Sequence, residues 1–389
     1  MDKTCISFAL LIAVFLTLVG AGFAGSQEEN SSGDGAYQWV LPRGFPKPKI
    51  PADNPVTSEK VRLGRYLFYD QRMSVNGTES CSTCHQQELA FTDGKPQAVG
   101  ATGQLHPRGA MSLVNVAYSA ALTWSNPNEH SLENQALTPM FGADPVELGL
   151  TGHGEAFIHV LHSDPLYREM FPAAFPTEAD PFTISDVTKA IASFERMIVS
   201  AASPYDRYHF AGDDQAVPES AKRGEALFFS EPLSCFRCHG GFNFTDATDF
   251  EGRKGGEAPF HNTGLYNVAG AFSYPQPNVG IYEYTKRPED IGKFKVPTLR
   301  NIALTAPYMH DGSAKTLDDV LDHYSAGGRS VAGSPNAGDG FHNPNKDPLI
   351  RGFQLSPQER ADLIAFLQSL TDEEVIHDPK YGNPWKKQK

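Results

Sequence analysis

The 389-residue chain has little cysteine and too little positive charge to balance its acids, and each shortage removes a class of function. It holds five cysteines, and Cys5 falls inside the leading segment, residues 1–24. The four that remain, Cys81, Cys84, Cys235 and Cys238, sit in two short motifs. No thiol is left over for a structural disulfide or a separate cysteine nucleophile. Lysine and arginine number 33 against 46 aspartates and glutamates, which argues against nucleic acid or an anionic membrane surface as a partner. Long apolar runs are also missing. The one that stands out, Phe8 to Val19, is short of the roughly 20 residues a membrane-spanning helix needs. No low-complexity tract interrupts the chain.

The leading segment has the make-up of a secretory signal over residues 1–24. Lys3 supplies the charge, Phe8 to Val19 the apolar stretch, and Gly22-Phe23-Ala24 a small-x-small cleavage site. Left uncleaved, it would act as an anchor. Residues 25–44, polar and glycine-containing at their start, read as a flexible leader.

The two cysteine motifs are Cys81-Ser82-Thr83-Cys84-His85 and Cys235-Phe236-Arg237-Cys238-His239. Cys-x-x-Cys-His attaches a c-type haem: each thiol adds to a haem vinyl group, and the histidine ligates the iron. Zinc half-sites and thioredoxin-like dithiols are the competing readings. Zinc would want a second thiolate pair or a nearby His-x3-5-His, and neither motif has one. Two covalent haems c are therefore expected. They are attached outside the cytoplasm, which points to the periplasm.

A helical unit is written twice. Ser58 to Tyr69 precedes the first motif and Glu219 to Phe229 the second. Each has apolar residues at helical spacing, a glycine in mid-helix (Gly64, Gly224) and a closing aromatic pair. An interior glycine costs about 1 kcal/mol relative to alanine, and close packing against another helix is the expected return. The partner helices are Thr183 to Ile198, with Ser185 as N-cap, and Leu355 to Leu370, where Ser356, Pro357 and Glu359 form a capping box. The expected fold is mostly α, with two fused cytochrome c-type domains and long irregular loops. Their spans are 45–205 and 213–389, joined through the polar stretch from Ala202 to Val217.

Several further motifs carry a family resemblance. Phe294 to Gly312, followed by Thr316 to Tyr324, resembles the second-domain signature of bacterial di-haem cytochrome c peroxidases and their MauG-like relatives. Ser112 to Tyr118, Leu122-Thr-Trp124, Leu132 to Ala136 and Pro139 to Gly149 resemble the first-domain signature. Together these run from about residue 55 to 375.

The resemblance implies unequal haems. The second would be low-spin, with His239 and a distal ligand fourteen residues beyond His310, which is Tyr324. MauG-like enzymes carry tyrosine there, where peroxidases fed by small cytochromes carry methionine. An anionic phenolate stabilises higher iron oxidation states, whereas a thioether favours ferrous iron. Met309 is the rival ligand, and a half-buried helical tyrosine is the bland alternative. The first haem, on His85, would be high-spin and open to hydrogen peroxide. Glu147 would move the peroxide proton, Gln135 would orient peroxide or water, and Pro139 would line the pocket. The match is looser at Gln135, whose spacing to Glu147 is longer than the peroxidase pattern. His106 lies in a MauG-type loop, not the loop that carries a displaceable histidine ligand.

Trp124 matches the tryptophan between the haems; packing is its ordinary alternative role. Trp39 and Trp385 have no such match. The resemblance also implies calcium, with Thr305 and Pro307 as carbonyl donors. Gly109 stands where an asparagine ligand is expected, so water or Asn115 would have to replace it. The activity implied is peroxide-dependent: both irons reach Fe(IV), and the pair oxidises a residue of a partner protein. The Thr123 to Asn128 loop, with Pro145 to Gly149, resembles an MbnH-like branch more than MauG itself, and members of that branch convert a tryptophan of a copper-binding partner to kynurenine. A cytochrome c peroxidase drawing electrons from a small cytochrome or cupredoxin is the alternative, and a pure electron-transfer cytochrome the third reading.

Overall fold

The leading helix of each half is set by its cap and by one buried stripe. In the computed structural model, which describes residues 37, 39 and 41–386 apart from 255 and 272, α1 spans Ser58–Phe68. Thr57 caps it by accepting from the Lys60 N–H, and Leu63 and Leu67 are fully buried. α2 is Ile184–Arg196. Its N-cap is Thr183, not Ser185: Thr183 has an extended backbone and its Oγ1 accepts from the Asp186 N–H, while Ser185 already lies within the first turn. α3 is Glu219–Phe228, α4 Leu317–Ser325 and α5 Pro357–Ser369. Ser356 and Glu359 form the expected capping box on α5.

Both mid-helix glycines mark helix crossings. A Cβ on Gly64 would collide with the Ala190 carbonyl of α2, and one on Gly224 with the Asp362 carbonyl of α5. The closing aromatics complete the crossings: Phe68 meets Phe194 edge to face at 5.2 Å, and Phe228 meets Phe366 at 5.1 Å with the rings tilted. One core gathers around Leu63, Phe68, Ile191 and Phe194, another around Phe228, Phe244, Leu363 and Phe366.

The repeat extends to a turn that sequence inspection missed. Asn115 and Asn301 both adopt the left-handed conformation (φ 57° and 59°) that asparagine tolerates. Each opens a short 3-10 turn and donates its backbone N–H to the end of a closing helix, at Ile198 and Leu370. Their amides reach the Ser200 and Asp372 carbonyls.

Between the helices the chain is largely irregular. Among the described residues the strands are two antiparallel pairs of two residues each; one joins β1 (Phe260–His261) to β2 (Phe294–Lys295). The end of the chain returns to the first core. Val375, Ile376 and Tyr381 pack into it, the Tyr69 hydroxyl donates to the Tyr381 carbonyl, and the Trp385 indole donates to the Tyr66 carbonyl. The described residues fall in one compact unit. The expected signal and most of the leader lie outside the described residues.

Candidate active site in two cavities

The smaller cavity, about 800 Å³ with its opening to solvent, is lined by Cys81, Cys84, His85, Gln135, Pro139 and Glu147. His85 is oriented by its Nδ1, 2.9 Å from the Phe91 carbonyl. A carbonyl only accepts, so Nδ1 carries the proton and Nε2 keeps a lone pair for a metal. Burial pushes the Cys84 thiol up to about 12 and Cys81 higher still. Zinc needs thiolates, so this environment suits thioether attachment of a haem better.

Glu147 sits on a loop held from both sides. Its carbonyl accepts from the Ala101 N–H (2.7 Å), and the neighbouring Leu148 N–H donates to the Pro139 carbonyl (2.8 Å). Gly100 passes the Val146 carbonyl so closely that a side chain there would collide. Burial alone raises Glu147 to about 7, so its carboxyl can both hold and release a proton near neutrality. His106 lines the same cavity, with Nδ1 3.2 Å from the backbone N and O of Arg108.

The larger cavity, about 2160 Å³ on the same measure, is lined by Cys235, Cys238, His239, Met309, Tyr324 and Trp124. The His239 Nδ1 lies 3.2 Å from the Phe244 carbonyl, the same orientation as at His85. Burial pushes Cys235 up to about 12. Tyr324 is presented by α4, whose Leu317, Val320, Leu321 and Tyr324 follow one helical face into the cavity. Burial raises its phenol well above the ordinary value, so only a strong cation beside it would ionise it. Met309 lines the same cavity, so both rival ligands face it.

Thr305, Pro307 and Gly109 also line the larger cavity. The Trp124 indole donates to the Gly109 carbonyl (3.0 Å), and the Gly109 N–H donates to the His310 carbonyl (3.1 Å). Asn115 does not join them. Its Nδ2 donates to Ser200 and Asn243 and its Oδ1 accepts from the Ser200 N–H, so its amide is committed elsewhere and does not replace the missing asparagine.

Four residues near the cavities were not singled out by sequence. Glu79 and Glu195 line the smaller one, each with a buried carboxylate oxygen that has no hydrogen bond among the described residues. Burial raises Glu195 to about 8. Its signal was available: it continues the buried stripe of Val187 and Ile191, where an acid is out of place. His261 lies between Asp246 (2.9 Å from Nε2) and Asp347 (2.6 Å from Nδ1), which raise it to about 12 against the effect of burial. With both nitrogens protonated, the Cys238–Asp246–His261 group has no imidazole lone pair for a metal. Lys295 is the fourth, buried in the wall of the larger cavity.

Two cavities built on Cys-x-x-Cys-His, each with its histidine held for metal ligation, define a mostly helical c-type haem protein with paired sites. Residues 58–215 match the family of di-haem cytochrome c peroxidases. The chain is 35% identical over 334 residues to the methylamine utilization protein MauG of Methylorubrum extorquens, covering 85% of this chain and 83% of that one. It is 33% identical over 380 residues to the cytochrome-c peroxidase IdrP1 of Pseudomonas sp. (strain SCT), covering 93% and 94%. A solved MauG-like protein associated with microbial copper homeostasis superposes with a TM-score of 0.88 at 46% identity, over 90% of this chain and 100% of that one. The chain belongs to the di-haem cytochrome c peroxidase and MauG family. Membership implies two haems c and makes it a peroxide-dependent di-haem enzyme. Among the described residues, no helix is long and apolar enough to cross a membrane.

Proposed function

We propose that this chain is a periplasmic MauG-type oxidase that uses hydrogen peroxide to oxidise a tryptophan of a partner protein, with a copper-binding protein as the favoured partner. The observation that carries it is Tyr324, directed by α4 into the cavity of His239. When bound, the haems supply the two-electron reduction of peroxide and the storage of its oxidising equivalents. The chain's residues divide the remaining work. Cys81, Cys84 and His85 hold one haem, and Cys235, Cys238 and His239 the other. Glu147 takes the proton from one peroxide oxygen and returns it to the other, a task suited to a carboxyl near 7. Gln135 orients peroxide or water, and Pro139 keeps the space narrow.

Tyr324 serves as the phenolate ligand of the second site, and the Trp124 indole, fixed by Gly109, is the relay between the sites. Thr305 and Pro307 offer carbonyls to calcium, with water in place of the asparagine that Gly109 replaces. The copper-linked relative, similar over 90% of this chain, supports a copper-binding partner.

Tyr324→Met is the deciding variant. Incubation of the wild type with peroxide and a co-encoded copper-binding protein should add oxygen to a partner tryptophan, read by mass spectrometry. The variant should lose that product and gain a higher second-haem potential. An unchanged visible spectrum and potential in Tyr324→Met would remove Tyr324 as the ligand. Met309 in the same cavity favours a second reading, a peroxidase fed by a small cytochrome or cupredoxin. In that case Met309→Leu, not Tyr324→Met, would change the second haem.

A further inference from the structure

The larger cavity contains one charge that the chain leaves unmatched. Lys295 lies on β2 opposite Phe260, with its backbone N–H 2.9 Å from the Trp124 carbonyl. The residue is 6% exposed and lines the cavity, and its side chain makes no hydrogen bond or ion pair among the described residues. Burial alone pulls its ammonium down to about 8. The fold does not treat its other buried cations this way. Lys60 is held by the Asn54 side chain and the Pro55 carbonyl, Arg196 by Glu133, and Arg300 by both oxygens of Asp206. Near the same cavity, Arg108 is committed to Asn278 and Glu283, and His261 has its own two carboxylates. Among the buried cations of the described residues only Lys295 has neither a hydrogen-bond partner nor an ion pair, and a buried ammonium without either is strongly disfavoured.

The counter-charge has to come from whatever fills the cavity. Under the two-haem reading, the occupant is a haem attached at Cys235 and Cys238, which carries two propionate carboxylates on the edge away from its thioethers. We propose that Lys295 is the carboxylate-binding subsite of the larger cavity and pairs with one of these propionates. His261 stands by Cys238 at the thioether end, where no outside anion is needed. Lys295 lines the same cavity as Trp124, and an uncompensated cation in that cavity would make the indole harder to oxidise. Pairing with a propionate orients the haem and neutralises that charge. Lys295 is thus a positioning residue.

The test uses resting protein, without peroxide or partner. A haem count by pyridine haemochrome first checks the two-haem reading on which the inference rests, and a count below two would fail that reading and not the pairing. Wild type, Lys295→Met and Lys295→Arg are then compared by spectroelectrochemical titration and by the propionate-bending bands of the resonance Raman spectrum. A cation near a haem favours reduced iron. Lys295→Met should therefore move the midpoint potential of the Cys235/Cys238 haem to a more negative value and shift its propionate band. Lys295→Arg should keep both close to wild type. An unchanged potential and band in Lys295→Met would overturn the pairing, as would a shift confined to the Cys81/Cys84 haem. Should Lys295→Met fail to load the second haem, Lys295→Gln carries the same two readings and the same outcomes.

Discussion

The two cavities start from the same motif and diverge in what surrounds it. Around His85 stand carboxyls that burial raises, Glu147 to about 7 and Glu195 to about 8, and neither forms an ion pair among the described residues. Around His239 stand a phenol, a thioether, an indole and a buried ammonium. The first environment is suited to moving protons and the second to holding charge and passing electrons. The helix crossings, the cysteine motif and the asparagine turn occur in both halves. The asymmetry comes from single side chains set on that frame, Glu195 on α2, Tyr324 on α4 and Lys295 on β2, and from Glu147, Trp124 and Met309 on the loops.

The sharpest way to break this division is to remove the proton from the first cavity. Glu147→Gln should slow the reaction with peroxide by about 10²–10⁴-fold, the usual worth of a positioned acid–base group. The wild-type rate should show an inflection near pH 7 that the variant lacks, because the raised carboxyl titrates there. Stopped-flow mixing with peroxide across pH reads both. A variant as fast as wild type would leave the first cavity without its proton carrier.

The link between the cavities is tested next. In Trp124→Phe the indole N–H bond to Gly109 is lost along with the oxidisable ring. Peroxide should still be consumed, while any long-lived near-infrared absorption that follows in the wild type should form slowly or not at all. Normal formation would confine Trp124 to packing.

Glu195 gives the comparison a pH dependence. Burial raises its carboxyl from 4.5 to about 8. Between those values the folded chain keeps a proton that the unfolded chain releases, so stability is full below about 4.5 and falls as pH rises toward 8. Glu195→Gln should flatten this decline. Denaturant unfolding of the haem-loaded protein near pH 5 and near pH 8 measures it, and an equal decline in the variant would show that Glu195 does not titrate in that window.

How legible the chain was follows from the range of each interaction. The cysteine motifs, the capping box at Ser356 and the glycine crossings are local patterns, and the structure has the glycines where helices touch. The α2 cap lies two residues before Ser185, because serine is the stronger capper by residue type and only the extended backbone at Thr183 decides between them. The roles of His261 and Lys295 were not legible. They depend on Asp246 and Asp347 arriving from distant loops, and on no acid arriving at all. The asparagine turn was visible as Val114-Asn115-Val116 and Arg300-Asn301-Ile302, but its meaning needs the closing helices.

The smallest expected effect tests what the halves share. Alanine gains about 1 kcal/mol over glycine as a helix former, so both Gly64→Ala and Gly224→Ala would stabilise free helices. At the crossings the added methyl meets a backbone carbonyl, which no rotamer change can clear, so the helices must separate. Overpacking of this kind costs about 1–3 kcal/mol, and the net change should be destabilising in both. The two sites differ in what else is close. Beyond the carbonyl, a methyl at Gly224 would stand 2.8 Å from the Phe366 Cβ, whereas at Gly64 the next contact is the Ile191 backbone nitrogen at 3.0 Å. Phe366 also packs on Phe228 and Phe244, so moving it disturbs the core beside the His239 site. Gly224→Ala should therefore lower the melting temperature of the haem-loaded protein more than Gly64→Ala, and it alone should alter the second haem's spectrum. If either variant melts at or above the wild type, that crossing does not require glycine.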